Sequence, residues 1–529
     1  MMLDLLIKNG TLIDGSGAPR RTGSIGIQNG VLTDANGTES AAQVIDAQGR
    51  IVCPGFIDAH SHGDLLLGTE DGRMFKTAQG ITTELCGQCG LSVMPINDQR
   101  AEEMYTFFNY HLPFEEVRKW TSFERFLQYV EACSMSANAK FYIGHRVLRM
   151  HVMGLDNRHA TAAELDKMQG LLRESMQSGA AGMSTGLIYV PGCYADTEEV
   201  VALARTMAPY NGIYASHIRN ESDGVAAAVQ EVLDIGRRGG VRVDISHHKI
   251  MGKSNWGLQK KTLEMIRRAN EQGIYTTCDQ YPYTRCMTTI VACVPNWYFS
   301  EGKEAFCLKL RDPAFRDRVR REMEDPATPY DNFYLNAGGW DGVYTVTAPN
   351  MPEAEGLSVS QFAAARGQDP WACFFELMDA TKGTAKCVYA TMREEDLCEI
   401  IQSPYCVVGT DGYNNSWASK GHPRDSATFP HAINYYVKEK KILTLEQMIH
   451  KMTGLTAERL LVPNKGLLKA GYDADVLIFD YDKLKDLSTY DDPNRLTEGM
   501  DYVIVGGQVV YHDMKFTGVY PGKFVAHKL

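Results

Sequence analysis

The chain has 529 residues, of which 44% are hydrophobic and 22% charged, and its formal net charge is −11 at neutral pH. This composition is typical of a soluble globular protein, and the length exceeds what one hydrophobic core usually organises, which predicts a large domain plus a smaller one. The acidic balance argues against a general nucleic-acid surface, because such a surface needs clustered Lys and Arg.

Targeting segments and disulfides are not expected. Residues 1–6 contain an acid and lack both a basic leader and a long apolar run, so we predict no signal peptide. No run of about eighteen apolar residues occurs, which predicts no membrane span. The 13 cysteines are odd in number and show no repeating spacing, a pattern that favours reduced thiols in the cytoplasm. The sequence is compatible with either a monomer or an oligomer.

Both ends of the chain predict short β-strands. Between residues 3 and 53, apolar runs alternate with turn signals such as Asn9-Gly10 and Asn29-Gly30, a spacing typical of hairpins. Similar apolar runs recur near the carboxyl end, at residues 474–480 and 502–510. We therefore predict that residues 1–54 and 466–529 fold together as one small β-sandwich domain.

Residues 55–465 repeat a strand-then-helix rhythm. Eight βα units indicate a closed parallel barrel more often than a doubly wound sheet, so the predicted fold is α/β, a (β/α)8 TIM barrel. Helical segments intervene, for example at 161–177, where apolar residues recur at helical spacing. The predicted strands are 51–58, 81–85, 140–144, 179–184, 212–216, 241–246, 273–278 and 405–409.

One interval breaks this rhythm, because roughly 120 residues separate the seventh predicted strand from the eighth. An insertion at about 286–350, rich in Trp, Tyr and Phe, could form a lid over the barrel mouth. Surface elaboration is the alternative.

The first barrel strand ends in two alternate histidines, His60 and His62. Side chains at i and i+2 of a strand share one face, and neutral imidazole is a good zinc ligand. For so short a motif, packing and hydrogen bonding at a strand end is the alternative.

Polar residues also end most of the other predicted strands, and in this type of barrel the chemistry is located at the carboxyl ends of the strands. Six of the 14 histidines fall on these ends, which is more than a scatter through loops would produce. Beyond the first strand, these residues are Cys86 and Cys89 after strand two, His145 after strand three, His217 after strand five, His247, His248 and Lys249 after strand six, and Asp411 after strand eight.

A metal ligand set can be drawn from these residues. A thiolate joined by two histidines from neighbouring strands suits zinc, which commonly keeps three protein ligands and one open position for water. Cys89, His217 and His247 would provide the three ligands, and His60 and His62 would face a second, weaker position.

The remaining strand-end residues have competing interpretations. Cys86 and Cys89 could form a redox CxxC pair, although no thioredoxin-like pattern surrounds them. His248 alternates with His247 and should point away from it. His145 could be a packed structural residue or could orient the substrate.

Asp411 ends an apolar run and brings a carboxylate to the same end of the predicted barrel, where the strands have their carboxyl ends. A metal lowers the pKa of bound water toward ~7, and a nearby carboxylate can accept its proton and later return it to a leaving nitrogen. Hydrolysis is the implied reaction. On its own, Asp411 could equally be a helix cap or turn residue.

Ordered motifs then cover nearly the whole chain: GFIDAHSHGD at 55–64, GITTELCGQCGLS at 80–92, GMSTGLIYVPG at 182–192, ASHIRNE at 215–221, ISHHK at 245–249, NWG at 255–257, DQYPYT at 279–284, GTDG at 409–412, HPRDSATFP at 422–430 and GLLKAGYDADVLIFD at 466–480. Together they resemble the N-acyl-D-amino-acid deacylase (D-aminoacylase) family of the amidohydrolase superfamily.

The resemblance implies a metal-dependent catalytic barrel that hydrolyses the amide bond of N-acyl-D-amino acids to a carboxylate and a free D-amino acid. It implies a zinc held by Cys89, His217 and His247, with His60 and His62 marking a second metal position whose occupancy varies in the family. Asp411 matches the general acid/base.

The resemblance also implies substrate-binding residues. Tyr189 matches the residue that helps to polarise the scissile carbonyl, and Lys249, Tyr283 and Arg424 match positions near the substrate carboxylate. A guanidinium pairs a carboxylate bidentately, although a surface position is the alternative for Arg424.

The chain departs from the family pattern in two places. After the DQYPYT motif it continues with Arg285, Cys286, Met287 and Thr288 where small residues and a serine are usual, and His431 replaces the usual arginine after the HPRDSATFP motif. Both departures lie where substrate recognition is expected, so they bear on the acyl and side-chain preference.

Two alternative functions stay open. One is another amidohydrolase reaction, on a cyclic amide, a dipeptide or an N-carbamoyl amino acid. The other is a non-catalytic scaffold that keeps the barrel, against which the intact ligand set argues. The expected partner is a small-molecule N-acyl amino acid, with no nucleic acid and no membrane.

Overall fold

The computed structural model describes residues 2–35, 37, 39–110, 112–413 and 416–528. In this part of the chain the strands are β1 Leu3–Leu12, β2 Arg21–Gln28, β3 Val31–Ala35, β4 Ala41–Asp46, β5 Ile51–Pro54, β6 Phe56–Asp58, β7 Ile81–Cys86, β8 Asn138–Gly144, β9 Gly182–Gly186, β10 Ile213–His217, β11 Arg242–Ile245, β12 Thr276–Gln280, β13 Arg285–Thr289, β14 Val343–Thr347, β15 Lys386–Ala390, β16 Cys406–Val408, β17 Val476–Phe479, β18 Met500–Val505, β19 Gln508–His512 and β20 Lys515–Phe516.

The α-helices are interspersed with short 3-10 segments, and a π-helical turn, Ile433–Glu439, continues α16. They are α1 Glu70–Lys76, α2 Ala101–Phe108, α3 Phe114–Val117, α4 Phe123–Ala132, α5 His145–Met153, α6 Ala162–Gln177, α7 Thr197–Met207, α8 Val225–Gly239, α9 Gln259–Glu271, α10 Lys303–Lys309, α11 Pro313–Glu324, α12 Phe333–Asn336, α13 Val359–Arg366, α14 Pro370–Thr381, α15 Glu394–Gln402, α16 Arg424–Ala432, α17 Leu445–Met452 and α18 Gly454–Arg459.

Eight parallel strands form the central sheet, in the order β6-β7-β8-β9-β10-β11-β12-β16. The two outer strands also meet: the Ala59 N–H donates to the Val408 carbonyl over 3.2 Å, and the Asp411 N–H donates to the His60 carbonyl over 2.8 Å. This contact closes the sheet, and the predicted (β/α)8 barrel is confirmed.

The first predicted strand, 51–58, is two strands in the structure. Residues Ile51–Pro54 pair with β1 and β17 in another sheet, and only Phe56–Asp58 belongs to the barrel. The break falls at Gly55, where a Cβ would lie 2.0 Å from Thr82 Oγ1. A glycine is therefore needed where the chain crosses from one sheet to the other.

Helix α6 illustrates how the barrel helices form. Thr161 caps its first turn in a reciprocal capping box with Glu164, which satisfies amide groups that have no partner inside the helix. Met168, Leu172 and Met176 recur at helical spacing and are buried against the barrel. The predicted helix at 161–177 is confirmed with its cap at residue 161.

Strands from both chain ends share one nine-stranded sheet, in the order β20-β19-β18-β17-β5-β1-β2-β3, with β4 beside β1. Alternate residues of β17 serve two cores, because successive side chains of a strand point to opposite faces. Val476 and Ile478 pack inside this sheet's own core, whereas Leu477 and Phe479 pack against the barrel core. We propose residues 1–54 and 466–529 as the small β-domain on this basis.

The insertion between β12 and β16 is larger than the predicted 286–350. It contains an antiparallel sheet, β13-β15-β14, and the helices α10 to α14. Its aromatic residues, among them Phe306, Trp340, Trp371 and Phe374, are buried in a separate hydrophobic core. The insertion extends to β15 because the pairing of β13 with β15 joins residues distant in the chain. No helix of the described residues is long and apolar enough to cross a membrane.

Candidate active site

A cavity of about 350 Å³ lies at the carboxyl ends of the barrel strands and is bounded on one side by the insertion. Most of the side chains singled out from the sequence line it. They are His62, Cys89, Tyr189, His217, His247, Lys249, Asp411 and Arg424. His60 lies behind this lining and is fully buried.

Four side chains from four barrel strands converge on one point. The ligand atoms of His60, Cys89, His247 and Asp411 all lie within 4.8 Å of one another, and all four residues are buried. Cys89 Sγ is 3.2 Å from His247 Nε2 and 3.3 Å from His60 Nε2. Sulfur, nitrogen and oxygen donors at these separations form a set that can hold a metal ion.

A second group shares His247 with the first and adds His217 and Glu221. The predicted ligand trio is thus divided between two groups, with His247 common to both. His217 packs against His247 with ring centroids 4.4 Å apart, yet among the described residues neither of its buried ring nitrogens has a hydrogen-bond partner. A bound cation would satisfy such a nitrogen, so these residues fit a metal.

The backbone is unusual at three of these residues. Cys89, His247 and Asp411 have φ angles of 53°, 36° and 48°, in the left-handed region that costs an L-residue free energy. Such positions cost roughly 1–3 kcal/mol each and are concentrated at functional sites. The fold accepts this cost where it directs the sulfur, imidazole and carboxylate toward one another.

Two buried carboxylates orient the imidazoles from behind. Asp279 Oδ2 lies 3.0 Å from His60 Nδ1, and Asp279 Oδ1 accepts the His247 N–H over 2.9 Å. Glu221 Oε1 lies 3.1 Å from His247 Nδ1 and 2.6 Å from Lys249 Nζ. His60 can donate its Nδ1–H to Asp279 and so present Nε2 to the centre, and contacts of this kind fix the tautomer of metal-binding histidines. At His247 the nearer neighbour of Nδ1 is the Lys249 ammonium, whose Nζ lies 2.7 Å away.

Burial sets the protonation of the histidines and the cysteine. It lowers the pKa of His60 and His62, and lowers those of His217 and His247 well below the ordinary value. The rings are therefore neutral, which is the form that binds a metal. Burial also raises the pKa of the Cys89 thiol well above its usual range, so a neighbouring cation is required to stabilise the thiolate.

Asp411 is ionised in this setting. Burial by itself would raise the pKa of Asp411, but the positive charge of Arg424 and the contacts with His247, His62 and His60 together outweigh it, so the pKa lies well below the usual value. Arg424 Nη1 is 2.7 Å from Asp411 Oδ2, while Asp411 Oδ1 is 3.4 Å from His62 Nε2. One carboxylate oxygen is thus held by the arginine, and the other faces the histidines.

Tyr189 stands beside the metal candidates. Its ring lies 4.9 Å from that of His217, and its hydroxyl is 3.0 Å from Thr288 Oγ1 on β13. Burial raises the pKa of Tyr189 well above its usual value, so the hydroxyl keeps its proton and can donate a hydrogen bond.

Two predicted substrate-binding residues do not reach the cavity. His145 Nε2 lies 2.8 Å from Glu199 Oε1, and Glu199 also pairs with the buried Arg149. Tyr283 stacks on His431 with ring centroids 4.6 Å apart, and its hydroxyl donates to the Pro423 carbonyl. Neither side chain lines the cavity, so of the two interpretations of His145 the structure favours the structural one.

Of the residues that depart from the family pattern, Arg285 and His431 also lie outside the lining. Arg285 is held between the rings of Tyr344 and Tyr490 at 4.5 and 4.4 Å, and His431 pairs with Asp486 over 2.5 Å. After Arg285, the next residues, Cys286, Met287 and Thr288, do face the cavity. The first departure from the family pattern therefore alters the cavity lining through these three residues.

Two other interpretations are resolved by geometry. His248 points away from the centre, with its Nε2 2.8 Å from Thr262 Oγ1 on α9, as its alternation with His247 predicts. Cys86 and Cys89 are both free thiols, and Cys86 packs in the barrel core while Cys89 lines the cavity. The redox-pair interpretation gains no support.

Sequence reasoning missed Glu221, Asp279 and Arg146. Asp279 lies one residue before the end of the seventh barrel strand, close to the kind of position that drew attention to the other strand ends. Glu221 follows His217 by four residues within the ASHIRNE motif. Arg146 follows His145 directly and lines the cavity, but a lone arginine carries no specific signal.

Comparisons with known proteins agree with this geometry. The sequence model described as "Amidohydrolase family" matches residues 43–288 and 339–511. The chain is 33% identical to the D-aminoacylase of Alcaligenes xylosoxydans xylosoxydans, over 99% of this chain and 97% of that protein.

Solved structures resemble it over the whole chain. One is the N-acyl-D-glutamate deacylase of Bordetella bronchiseptica, complexed with zinc and a phosphonate that mimics the tetrahedral intermediate, with 32% identity, a TM-score of 0.83 and coverage of 99% of this chain and 100% of that one. Another is a D-aminoacylase with a binuclear metal centre, with 30% identity, a TM-score of 0.82 and the same coverage.

Proposed function

The chain belongs to the amidohydrolase family, and from this premise we propose that it hydrolyses the amide bond of N-acyl-D-amino acids to a carboxylate and a free D-amino acid. The observation that carries the proposal is the convergence of Cys89, His247 and Asp411, each with a left-handed backbone, at the mouth of the barrel. The similarity to deacylases of N-acyl-D-amino acids supports the substrate class.

The metal in this proposal is Zn²⁺, because zinc suits a mixture of sulfur and imidazole ligands. Cys89, His217 and His247 would hold one ion, and His60 and His62 would contribute to a second, weaker position; Cys89 Sγ is close enough to His60 and His247 to reach both. When bound, zinc polarises a carbonyl group and lowers the pKa of water, which is the chemistry that amide hydrolysis needs.

Asp411 moves the proton in the proposed reaction. Its Oδ2 is held by Arg424, so Oδ1 is the oxygen that accepts a proton from the attacking water and delivers it to the leaving nitrogen. The low pKa of Asp411 keeps it in the basic form before the substrate reacts.

Tyr189 and Lys249 would position the substrate. The protonated hydroxyl of Tyr189 would donate a hydrogen bond to the scissile carbonyl oxygen, where negative charge develops. Lys249 and Arg424 lie on the side of the cavity formed by the later strands, and their positive charges would attract the α-carboxylate. Both also pair with carboxylates of the chain, which holds them in place before the substrate binds.

A substrate panel tests this function. The zinc-loaded protein is assayed with N-acetyl-D-amino acids, their L-enantiomers, D-dipeptides, N-carbamoyl-D-amino acids and hydantoins, and product formation is followed for each. We expect hydrolysis of the N-acetyl-D-amino acids and little or none of the L-enantiomers. Hydrolysis confined to hydantoins, dipeptides or N-carbamoyl compounds would assign another amidohydrolase reaction. A protein without zinc or activity would indicate a scaffold.

The compartment proposed for this activity is the cytoplasm. All 13 cysteines carry free thiols, and most of them are buried. Free thiols in this number are typical of a reducing environment.

A further inference from the structure

The cavity contains a pair of cationic side chains that no carboxylate of the described residues neutralises. Arg146 and Lys303 both line it, and no carboxylate of the described residues lies within 4 Å of either charged group. They come from different parts of the fold, since Arg146 follows β8 and Lys303 begins α10 in the insertion. We call these two residues the basic corner.

Arg146 is held with much of its hydrogen-bonding capacity unused. Its Nε donates to the Val190 carbonyl over 3.1 Å, and the guanidinium lies over the rings of Tyr189 and Phe108 at 4.9 and 5.4 Å. Within the described part of the chain, Nη1 and Nη2 donate to no protein acceptor. A guanidinium carries five N–H donors, so those on Nη1 and Nη2 remain available to a ligand in the cavity.

Lys303 is held near Arg146 by its contacts with Phe107, the residue next to Phe108 in the chain. Its Nζ donates to the Phe107 carbonyl over 3.2 Å and lies over the Phe107 ring, whose centroid is 5.3 Å from that of Phe108. Burial lowers the pKa of Lys303 to about 8, and the charge of Arg146 contributes to this shift. The amine is therefore still charged at neutral pH.

The other cations of the cavity lining are already paired. Arg424 lies 2.7 Å from Asp411, Lys249 lies 2.6 Å from Glu221, and Arg219 lies 2.9 Å from Glu231. A buried cation without a carboxylate partner has lost hydration that one carbonyl contact and the ring faces restore only in part. Its placement is best explained by an anionic group of the ligand.

The position of the basic corner indicates which part of the ligand carries that anion. Arg146 follows β8, the third barrel strand, whereas Lys249 and Arg424 follow β11 and β16, the sixth and eighth strands, which flank the seventh. Strands three and seven lie on opposite sides of an eight-stranded barrel. If the α-carboxylate binds beside Lys249 and Arg424, the acyl group extends across the metal ligands toward Arg146.

We propose that Arg146 and Lys303 form a subsite for an anionic acyl group, so that the preferred substrates are N-(carboxyacyl)-D-amino acids such as N-succinyl-D-amino acids. This inference rests on the proposed function and specifies its substrate class. In the reaction, water adds to the acyl carbon and the C–N bond breaks, and the products are a dicarboxylate and a D-amino acid.

Two isomeric substrates test the subsite. N-succinyl-D-alanine and N-acetyl-D-glutamate have the same composition and the same two carboxylates, but the second carboxylate is on the acyl group in one and on the side chain in the other. For the zinc-loaded protein we expect kcat/KM to be at least about tenfold higher for N-succinyl-D-alanine, because a charged hydrogen bond contributes about 10- to 100-fold.

Matched variants assign that preference to the basic corner. Arg146→Leu and Lys303→Met should lower kcat/KM for N-succinyl-D-alanine by about 10- to 100-fold, and far less for N-acetyl-D-glutamate. Arg146→Lys and Lys303→Arg keep the charge and should retain most of the preference. Thermal unfolding of each variant checks the fold, and the two conservative variants keep the test valid if Arg146→Leu does not fold.

The outcomes separate this inference from the function on which it rests. Hydrolysis of N-acetyl-D-amino acids without any preference for N-succinyl-D-alanine would overturn the subsite and leave the deacylase function standing. A larger loss on N-acetyl-D-glutamate in Arg146→Leu would place the second anion on the side chain and overturn the acyl assignment. No hydrolysis of any N-acyl-D-amino acid would remove both.

Discussion

Arg424 and Asp411 form a buried ion pair in which Arg424 Nη1 lies 2.7 Å from Asp411 Oδ2. The sequence suggested Arg424 as a group for the substrate carboxylate. The ion pair gives it a further task, because it holds one oxygen of Asp411 and leaves the other toward the histidines.

Substitution of Arg424 should therefore affect turnover and not only substrate binding. In Arg424→Gln we expect kcat to fall by about 100-fold, within the range of a lost general acid/base contribution. We also expect the free energy of unfolding to fall by about 3–5 kcal/mol, because Asp411 is left as an unpaired buried charge. Arg424→Lys should retain part of both. A raised KM with unchanged kcat would mean that Arg424 acts only on the bound substrate.

Asp411→Asn should remove proton transfer while leaving the metal bound. The amide cannot accept a proton from water, so we expect kcat to fall by about 10²- to 10⁴-fold. Cys89, His217 and His247 are unchanged in this variant, so the zinc content measured by elemental analysis should match that of the unmodified protein. Retained activity would exclude Asp411 from the mechanism.

Loss of single ligands should distinguish the two metal positions. Cys89 Sγ and His247 Nε2 lie at the point where the ligand groups meet, so Cys89→Ala should lose the tightly held metal during dialysis against a chelator. His62 lies at the edge of the site, with its Nε2 3.4 Å from Asp411 Oδ1. His62→Ala should therefore retain one equivalent, and equal loss from both variants would contradict two positions of different affinity.

Asp279 should matter for metal affinity although it is not among the predicted ligands. Its carboxylate contacts His60 Nδ1 and the His247 backbone N–H, and losing such a contact typically lowers metal affinity about 10- to 100-fold. We expect this loss in Asp279→Asn, measured by competition with a chelator. Asp244→Asn is the matched control, because Asp244 is equally buried but its carboxylate has no hydrogen-bond partner among the described residues.

The contact between His145 and Glu199 should appear in stability and not in substrate specificity. Burial by itself would raise the pKa of Glu199, but the hydrogen bond with His145 and the charge of Arg149 lower it to about 2. Because the folded pKa lies below the ordinary value of 4.5, this stabilisation is fully present above about pH 4.5 and is lost as the pH falls toward 2.

The variant Glu199→Gln tests that linkage. At pH 7 it should unfold with a free energy about 3 kcal/mol lower than that of the unmodified protein, the value that a shift of this size implies. The difference between the two proteins, measured by denaturant unfolding, should shrink below about pH 4.5. A difference that is constant with pH would show that Glu199 acts through packing alone.

The sequence alone determined the barrel and most of the metal site. Strand and helix periodicities are local, so the eight strands can be read from short stretches of sequence. In a parallel barrel all carboxyl strand ends meet at one mouth, which brings His60, Cys89, His217, His247 and Asp411 together without any knowledge of their contacts. The limits of the strands do not follow from local pattern, because the end of a strand depends on the strands that pair with it. The break at Gly55, which divides the predicted strand 51–58 between two sheets, is an example.

Only the tertiary structure decided how these side chains are paired. The contacts of Asp279 with His60, of Arg424 with Asp411 and of Tyr283 with His431 join residues far apart in the chain. The proximity of Arg146 to Lys303 likewise arises only once the insertion packs over the barrel. The residue types present at a site follow from local pattern, whereas the partner of each charge is set by distances between elements that no local pattern encodes.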